Sequence, residues 1–138
     1  MTDPAGPGPV RLALRFRDLD AFGHVYHAEY LTLLDEARTR WFREVLALDE
    51  PGSYVVARIE IDYDSSLVLD DREAGFAFEV ERIGTSSLTL RETVRAPDGR
   101  VVARGRSVTV RRDLVAGTSR PLSDEERGRV LALAEDRQ

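Results

Sequence analysis

One long stretch of helical period stands in this chain, and the segments on either side of it alternate with period two. Between Glu29 and Leu48, the residues Tyr30, Leu33, Leu34, Ala37, Trp41, Val45 and Leu48 recur every three or four positions, while Asp35, Glu36, Arg40 and Arg43 point in other directions. That is the pattern of one amphipathic helix. Pro51-Gly52 predicts its end. Ahead of it, Val10, Leu12, Leu14 and Phe16 alternate with Arg11, Ala13, Arg15 and Arg17, which predicts a half-buried strand over residues 10–17. Four more alternating runs follow the helix. They are Val55, Ala57, Ile59, Ile61 and Tyr63; Phe76, Phe78 and Val80; Leu88, Leu90, Glu92 and Val94; and Val102 to Val110. Pro97-Asp98-Gly99 between the last two is a turn signal for an antiparallel hairpin. Ser123 with Glu126 three positions on is a capping-box pattern, and it opens a short C-terminal helix carrying Val130, Leu131 and Leu133.

A lone helix cannot cover five strands on both faces. The expected fold is therefore α+β, a five-stranded antiparallel sheet wrapped around one long central helix, with a short helix at the C-terminal end. Because the four later strands are consecutive, meander and hairpin connections are expected among them. A chain of 138 residues suits one domain. Its expected span is residues 10–138, preceded by a flexible tail at 1–9. That tail holds three Pro and two Gly and lacks the basic and apolar regions of a signal peptide, so a cytoplasmic protein is expected. No apolar run approaches the roughly 18 residues that predict a membrane span.

Missing residue types narrow the chemistry. The sequence has no Cys, Lys or Asn, and all 20 basic residues are Arg. Thiolate nucleophiles, disulfides, sulfur-ligated zinc, Schiff-base lysines and the lysine of a phosphate loop are all excluded. A net charge of −5 argues against a nucleic-acid groove, which rests on a positive field.

Chemistry concentrates between the first strand and the helix, in the segment Arg17-Asp18-Leu19-Asp20-Ala21-Phe22-Gly23-His24-Val25-Tyr26-His27-Ala28-Glu29-Tyr30. Both histidines of the chain lie here. The first N–H groups of a helix have no internal partner and attract developing negative charge, and Gly23 permits a tight turn before them. Read from the residues alone, Asp18 and Asp20 fit turn or helix-start positions as well as catalytic ones. His24 and His27 offer two metal ligands three positions apart, but zinc sites usually need three or four, so no metal is expected. Gly84-Thr85-Ser86-Ser87-Leu88 lacks the last glycine of a G-x-S-x-G elbow and sits where a turn between strands belongs, so a serine triad is not expected.

The run Asp-x-Asp-x-x-Gly-His-Val-x-x-x-x-Tyr, from Asp18 to Tyr30, followed by Glu36-Ala37-Arg38, resembles the hotdog-fold acyl-CoA thioesterases, in particular the 4-hydroxybenzoyl-CoA thioesterase-like family. The resemblance extends, through strand order and the Gly84-Thr85-Ser86-Ser87 turn, over about residues 10–112. It implies a hotdog domain that hydrolyses an acyl-CoA to free acid and CoA. Asp20 is then the catalytic carboxylate, and His27 supplies a backbone N–H to the thioester oxygen. It implies no separate cofactor, since CoA is part of the substrate. It also implies a homodimer with active sites between subunits, and commonly a homotetramer. Unprotected strand edges point to a dimer as well.

Around these residues, Phe22, Gly23, Tyr26 and Tyr30 are candidate substrate contacts, with Tyr30 equally suited to the core. Trp41 and Phe42 read as core or subunit contact. Relatives that grip the CoA phosphates with basic residues in the turn at 84–87 differ from this chain, which leaves Arg82, Ser87 and Arg91 as candidates beside that turn. Arg58, Arg111 and Arg112 come next. Two other activities suit the same pocket, a non-catalytic acyl-CoA binder and a hydratase or dehydratase using Asp20 and His27 as its acid/base pair.

Overall fold

A computed structural model describes residues 10–47 and 53–135. The expected tail at 1–9, and Leu48, Pro51 and Gly52, lie outside the described residues. In chain order the elements are β1 (Val10–Ala13), α1 (His27–Glu44), β2 (Tyr54–Tyr63), β3 (Glu73–Ile83), β4 (Ser87–Arg95), β5 (Val101–Asp113), β6 (Thr118–Ser119) and α2 (Asp124–Glu135). The five main strands form one antiparallel sheet in the order β1-β3-β4-β5-β2, and the two-residue β6 adds to the end of β5. Helix α1 lies on one face of this sheet, whose curl is the hotdog arrangement expected above.

The hairpins β3-β4 and β4-β5 are as expected, but β2 is not part of the meander. It pairs with β5 at the far edge, so residues 64–72 must carry the chain across to β3. The apolar face expected for β2 also stays largely uncovered in the single chain, with Val55 41% and Tyr63 43% exposed. A bulge between Val56 and Arg58 breaks the strict alternation, because an extra residue shifts every later side chain relative to the partner strand. Gly105 on β5 makes this edge pairing possible. A Cβ there would sit 2.7 Å from the Glu60 carbonyl oxygen.

The first strand is shorter than its alternation suggests. β1 ends at Ala13, and Phe16 to Asp18 form a 3₁₀ turn that turns Phe16 outward, leaving it 82% exposed. Val10, Leu12 and Leu14 are buried as expected. On α1 the buried face comprises Tyr30, Leu33, Leu34, Ala37, Arg38, Trp41 and Phe42. Val45 caps the C-terminus and is exposed, while Leu46 just beyond it is buried, because the helix stops at Glu44 and Ala47 adopts positive φ. Trp41 packs against Phe78 with ring centroids 5.4 Å apart, and Phe42 stacks on Tyr54 at 4.9 Å. Full burial of side chains of this size stabilises by about 1.5–3 kcal/mol each.

Glu92 falls on the inward face of β4, as its alternation with Leu90 and Val94 indicates, and burial of a carboxylate demands a partner. Arg38 of α1 provides it. Its Nε and Nη2 donate to the two carboxylate oxygens at 2.6 and 2.9 Å, and the Ser107 hydroxyl on β5 adds a third bond at 2.8 Å. Both charged groups are buried. This bidentate pair ties the helix to the middle of the sheet.

At the opposite end, the Ser123–Glu126 capping box forms, with Glu126 N–H donating to Ser123 Oγ at 3.1 Å and Ser123 N–H to Glu126 Oε1 at 3.0 Å. The same carboxylate accepts from the Tyr54 hydroxyl at 2.9 Å and pairs with Arg111 at 2.9 Å. Burial alone would raise the Glu126 pKa. The Ser123 N–H, the Tyr54 hydroxyl and Arg111 outweigh it and hold the carboxyl below its ordinary range.

Candidate active site

The loop between β1 and α1 is a short hairpin-like excursion closed by backbone bonds. Leu19 and Val25 form an isolated antiparallel bridge, Asp20 N–H donates to the His24 carbonyl at 2.7 Å, and Tyr26 N–H to the Asp18 carbonyl at 2.8 Å. Gly23 turns the tip with φ +81°, a conformation that costs a glycine little. A second bridge, His24 to Val68, and the bond from Val25 N–H to the Leu67 carbonyl at 2.8 Å lay the loop against the connection that follows β2.

Within this loop the two aspartates have different surroundings. Asp18 is fully buried, and its carboxylate accepts from the Arg15 N–H at 2.8 Å and from the Arg15 guanidinium at 3.1 Å. It staples the 3₁₀ turn. Asp20 is half-buried, and its Oδ1 accepts from Phe22 N–H at 2.8 Å and His24 N–H at 3.1 Å. No bond from the described residues reaches Oδ2. One carboxylate oxygen is thus clamped by the turn and the other is left to meet a water or a ligand.

Three residues beyond the clamp, α1 begins. Its N-cap is Tyr26, which offers no side-chain cap bond, so neither aspartate satisfies the helix-start N–H groups. Of these donors the Glu29 N–H turns back to the Tyr26 carbonyl at 2.8 Å, and those of His27 and Ala28 carry the positive end of the helix dipole toward an oxygen that gains charge. The His27 carbonyl accepts a bond from the Tyr63 hydroxyl at 2.8 Å, and the His27 ring lies 4.4 Å from that of Tyr26. Tyr63 stands at the end of β2 and also meets Tyr30 edge-on at 5.2 Å. Its alternation marks it only as a strand residue. Nothing local in the sequence announces a contact across 36 positions.

The other candidates separate into groups. Phe22 and Tyr26 flank the clamp and the helix start, at 86% and 44% exposure. Gly23 is the turn itself. Tyr30, offered above as a pocket residue or core, sits in the core; it is 2% exposed, and its hydroxyl accepts the Leu67 N–H at 3.1 Å. Burial raises its pKa. Arg82 and Ser87 lie at the far end of the sheet, since Ala13 pairs with Glu73 at one end of β3 and Ile83 with Leu88 at the other. Nine residues of strand put Arg82 about 30 Å from that first end. Arg91 occupies the middle of β4 on the exposed face, where it pairs with Glu81 at 3.3 Å. The chain by itself therefore does not bring Arg82, Ser87 or Arg91 to Asp20.

The sequence and the fold both match known proteins. The family model described as the thioesterase-like superfamily matches residues 14–131. The chain belongs to the thioesterase-like superfamily. Among solved members with similar structure is a thioesterase from Thermus thermophilus complexed with coenzyme A and Zn, 36% identical, with 96% of this chain and 98% of that one covered and a TM-score of 0.81. Curated relatives include the acyl-CoA thioesterase YbgC of Haemophilus influenzae, 36% identical over 77 residues, which is 51% of this chain and 55% of that protein. YbgC of Helicobacter pylori strain 26695 matches at 36% over 56 residues, 39% of this chain and 42% of that protein. The chain thus spans about half the length of these curated relatives.

Zinc accompanies coenzyme A in the Thermus structure. Among the described residues no group of three or more His, Cys, Asp or Glu side chains gathers to hold a metal ion. No helix among them is long and apolar enough to cross a membrane.

Proposed function

We propose that this protein hydrolyses acyl-CoA thioesters to a carboxylic acid and CoA, with Asp20 as the catalytic carboxylate and the start of α1 as the oxyanion site. The observation that carries this reading is the asymmetric clamp on Asp20, one oxygen held by two N–H groups and the other open, three residues ahead of a helix start without a side-chain cap. Placement of that kind is what a general base or nucleophile needs. Water attacks the thioester carbon, its proton passes to Asp20, and the carbonyl electron pair moves onto oxygen beside the His27 and Ala28 N–H groups at the start of α1. Collapse of the oxyanion then breaks the C–S bond. A thiol pKa of about 8.5 makes the thiolate a leaving group that needs little acid assistance. Attack by Asp20 itself, giving a mixed anhydride that water opens, uses the same two features. Each oxyanion donor of this type contributes about 2.7–4 kcal/mol in hydrolases. The reaction so written uses no resident cofactor.

The acting unit is a homodimer joined through β2. That strand is ten residues long, lies at the sheet edge and exposes Val55 and Val56, a combination that invites pairing with a second copy. A partner subunit also supplies a route by which Arg82, Ser87 or Arg91 of one chain reach CoA bound at the other. Phe22 and Tyr26 are placed to contact the acyl group or the pantetheine arm beside it.

Thiol release from short, long and aromatic acyl-CoA substrates tests the reading. Release of CoA with stoichiometric free acid is expected for at least one class. Tight binding without release would make the protein a carrier or sensor, and consumption of an enoyl double bond with CoA retained would make it a hydratase. A monodisperse monomer in light scattering at micromolar concentration would overturn the dimer.

A further inference from the structure

The end of β2 meets the start of α1 through the bond from the Tyr63 hydroxyl to the His27 carbonyl at 2.8 Å. That carbonyl already belongs to the first turn of the helix, where it can accept an intrahelical bond through one lone pair. Tyr63 occupies the other. The ring is held from two sides, edge-on against buried Tyr30 at 5.2 Å and nearly perpendicular to the His27 imidazole at 6.5 Å. Tyr30 in turn is anchored by the Leu67 N–H at 3.1 Å, in the segment that packs against the Asp20 loop. A hydroxyl placed only for solubility at a strand end would not be braced in this way.

We infer that Tyr63 is a positioning residue for the reaction, setting the orientation of the His27–Ala28 peptide and strengthening the Ala28 N–H as a donor at the helix start. The inference rests on the proposed hydrolysis at that site. Two physical effects follow from the one bond. It fixes the plane of the His27–Ala28 peptide, and therefore the direction of the Ala28 N–H. A hydrogen bond accepted by a peptide carbonyl also polarises that peptide, which makes the Ala28 N–H a better donor to an oxygen gaining charge. The gain is largest when the oxyanion forms, so it belongs in kcat more than in KM. Tyr63 donates here without contacting the reacting atoms, and for that reason its removal costs far less than loss of a direct oxyanion donor.

Tyr63→Phe keeps the ring packing on Tyr30 and deletes only the hydroxyl. Its kcat is expected to fall about 3- to 10-fold with KM within twofold of wild type, the size of one neutral hydrogen bond converted to a rate. A second variant carries 3,5-difluorotyrosine at position 63, whose phenol ionises near neutrality. Once ionised, the oxygen can no longer donate and repels the carbonyl, so the kcat profile should gain a descending limb that the wild-type profile, measured beside it with His24 and His27 unchanged, lacks. A merely structural Tyr63 would lower thermal stability without this alkaline limb. Unchanged kcat in folded Tyr63→Phe, a loss confined to KM, or a difluorotyrosine profile superimposable on wild type would each overturn the assignment. Wild-type protein that releases no thiol overturns the hydrolase reading itself, and this assignment with it. Turnover by wild type beside an unaffected variant overturns the assignment alone.

Discussion

Asp20→Asn separates chemistry from architecture at the proposed site, because the structure shows which carboxylate oxygen the turn holds. Oδ1 accepts the Phe22 and His24 N–H groups, and an asparagine carbonyl can accept the same two bonds. The amide nitrogen then replaces Oδ2, the oxygen left open for a water or a thioester. The turn is retained while the base or nucleophile is lost. Loss of a general base costs about 10² to 10⁴ in rate, or about 2.7–5.4 kcal/mol of transition-state stabilisation, and a lost nucleophile costs more. Against this, exchanging two charge-assisted bonds for neutral ones at a half-buried site should cost less than about 1 kcal/mol of stability. The assay is thiol release under saturating acyl-CoA, with ligand binding and thermal unfolding followed on the same preparation. The expected outcome is a kcat at least about 10²-fold down, KM and Tm close to wild type. Asp18→Asn should behave in the opposite sense, since it weakens the buried staple to Arg15 and leaves the clamp alone, lowering Tm with activity per folded molecule largely preserved. A folded Asp20→Asn protein that releases thiol at the wild-type rate would refute the reasoning from the clamp.

Glu92→Gln removes the charge facing buried Arg38 and should destabilise by about 3 kcal/mol or more, read as a Tm drop of roughly 10 °C; pairing Arg38→Met with Glu92→Leu should recover much of it. A Glu92→Gln protein as stable as wild type would mean the pair contributes nothing. Arg82→Ala or Arg91→Ala should raise KM and spare kcat if either grips the nucleotide end of CoA, and unchanged KM in both moves that contact elsewhere. For Glu126 the folded pKa lies below its ordinary 4.5, so the carboxylate adds stability above that pH and loses it as pH falls through the folded value. Glu126→Gln should therefore flatten the acid limb of a Tm-versus-pH curve. For Tyr54, burial and the Glu126 carboxylate raise the pKa, so the sign is reversed. Its contribution is complete below the ordinary value of 10.0 and fades as pH rises toward the folded one, and Tyr54→Phe should reduce alkaline destabilisation.

Periodicity alone determined much of this protein. A repeat of three to four residues over 29–48 marked the one long helix, and period two marked the strands, because these repeats report which side chains share a face. The same alternation put Glu92 among inward residues, and the Asp20–His27 cluster was legible because its members are neighbours in the chain. The tertiary structure decided matters that depend on distant segments. It sent β2 to the sheet edge beside β5, since strand order is a choice among partners that equivalent alternating runs do not distinguish. It told Asp18 from Asp20, two identical side chains two residues apart, by burying one against Arg15 and clamping only one oxygen of the other. It turned Phe16 outward where a 3₁₀ turn replaced the end of a strand. It also brought Tyr63 to His27 and Arg38 to Glu92 across 36 and 54 positions, contacts whose existence depends on how the sheet curls about the helix rather than on any local preference of the residues.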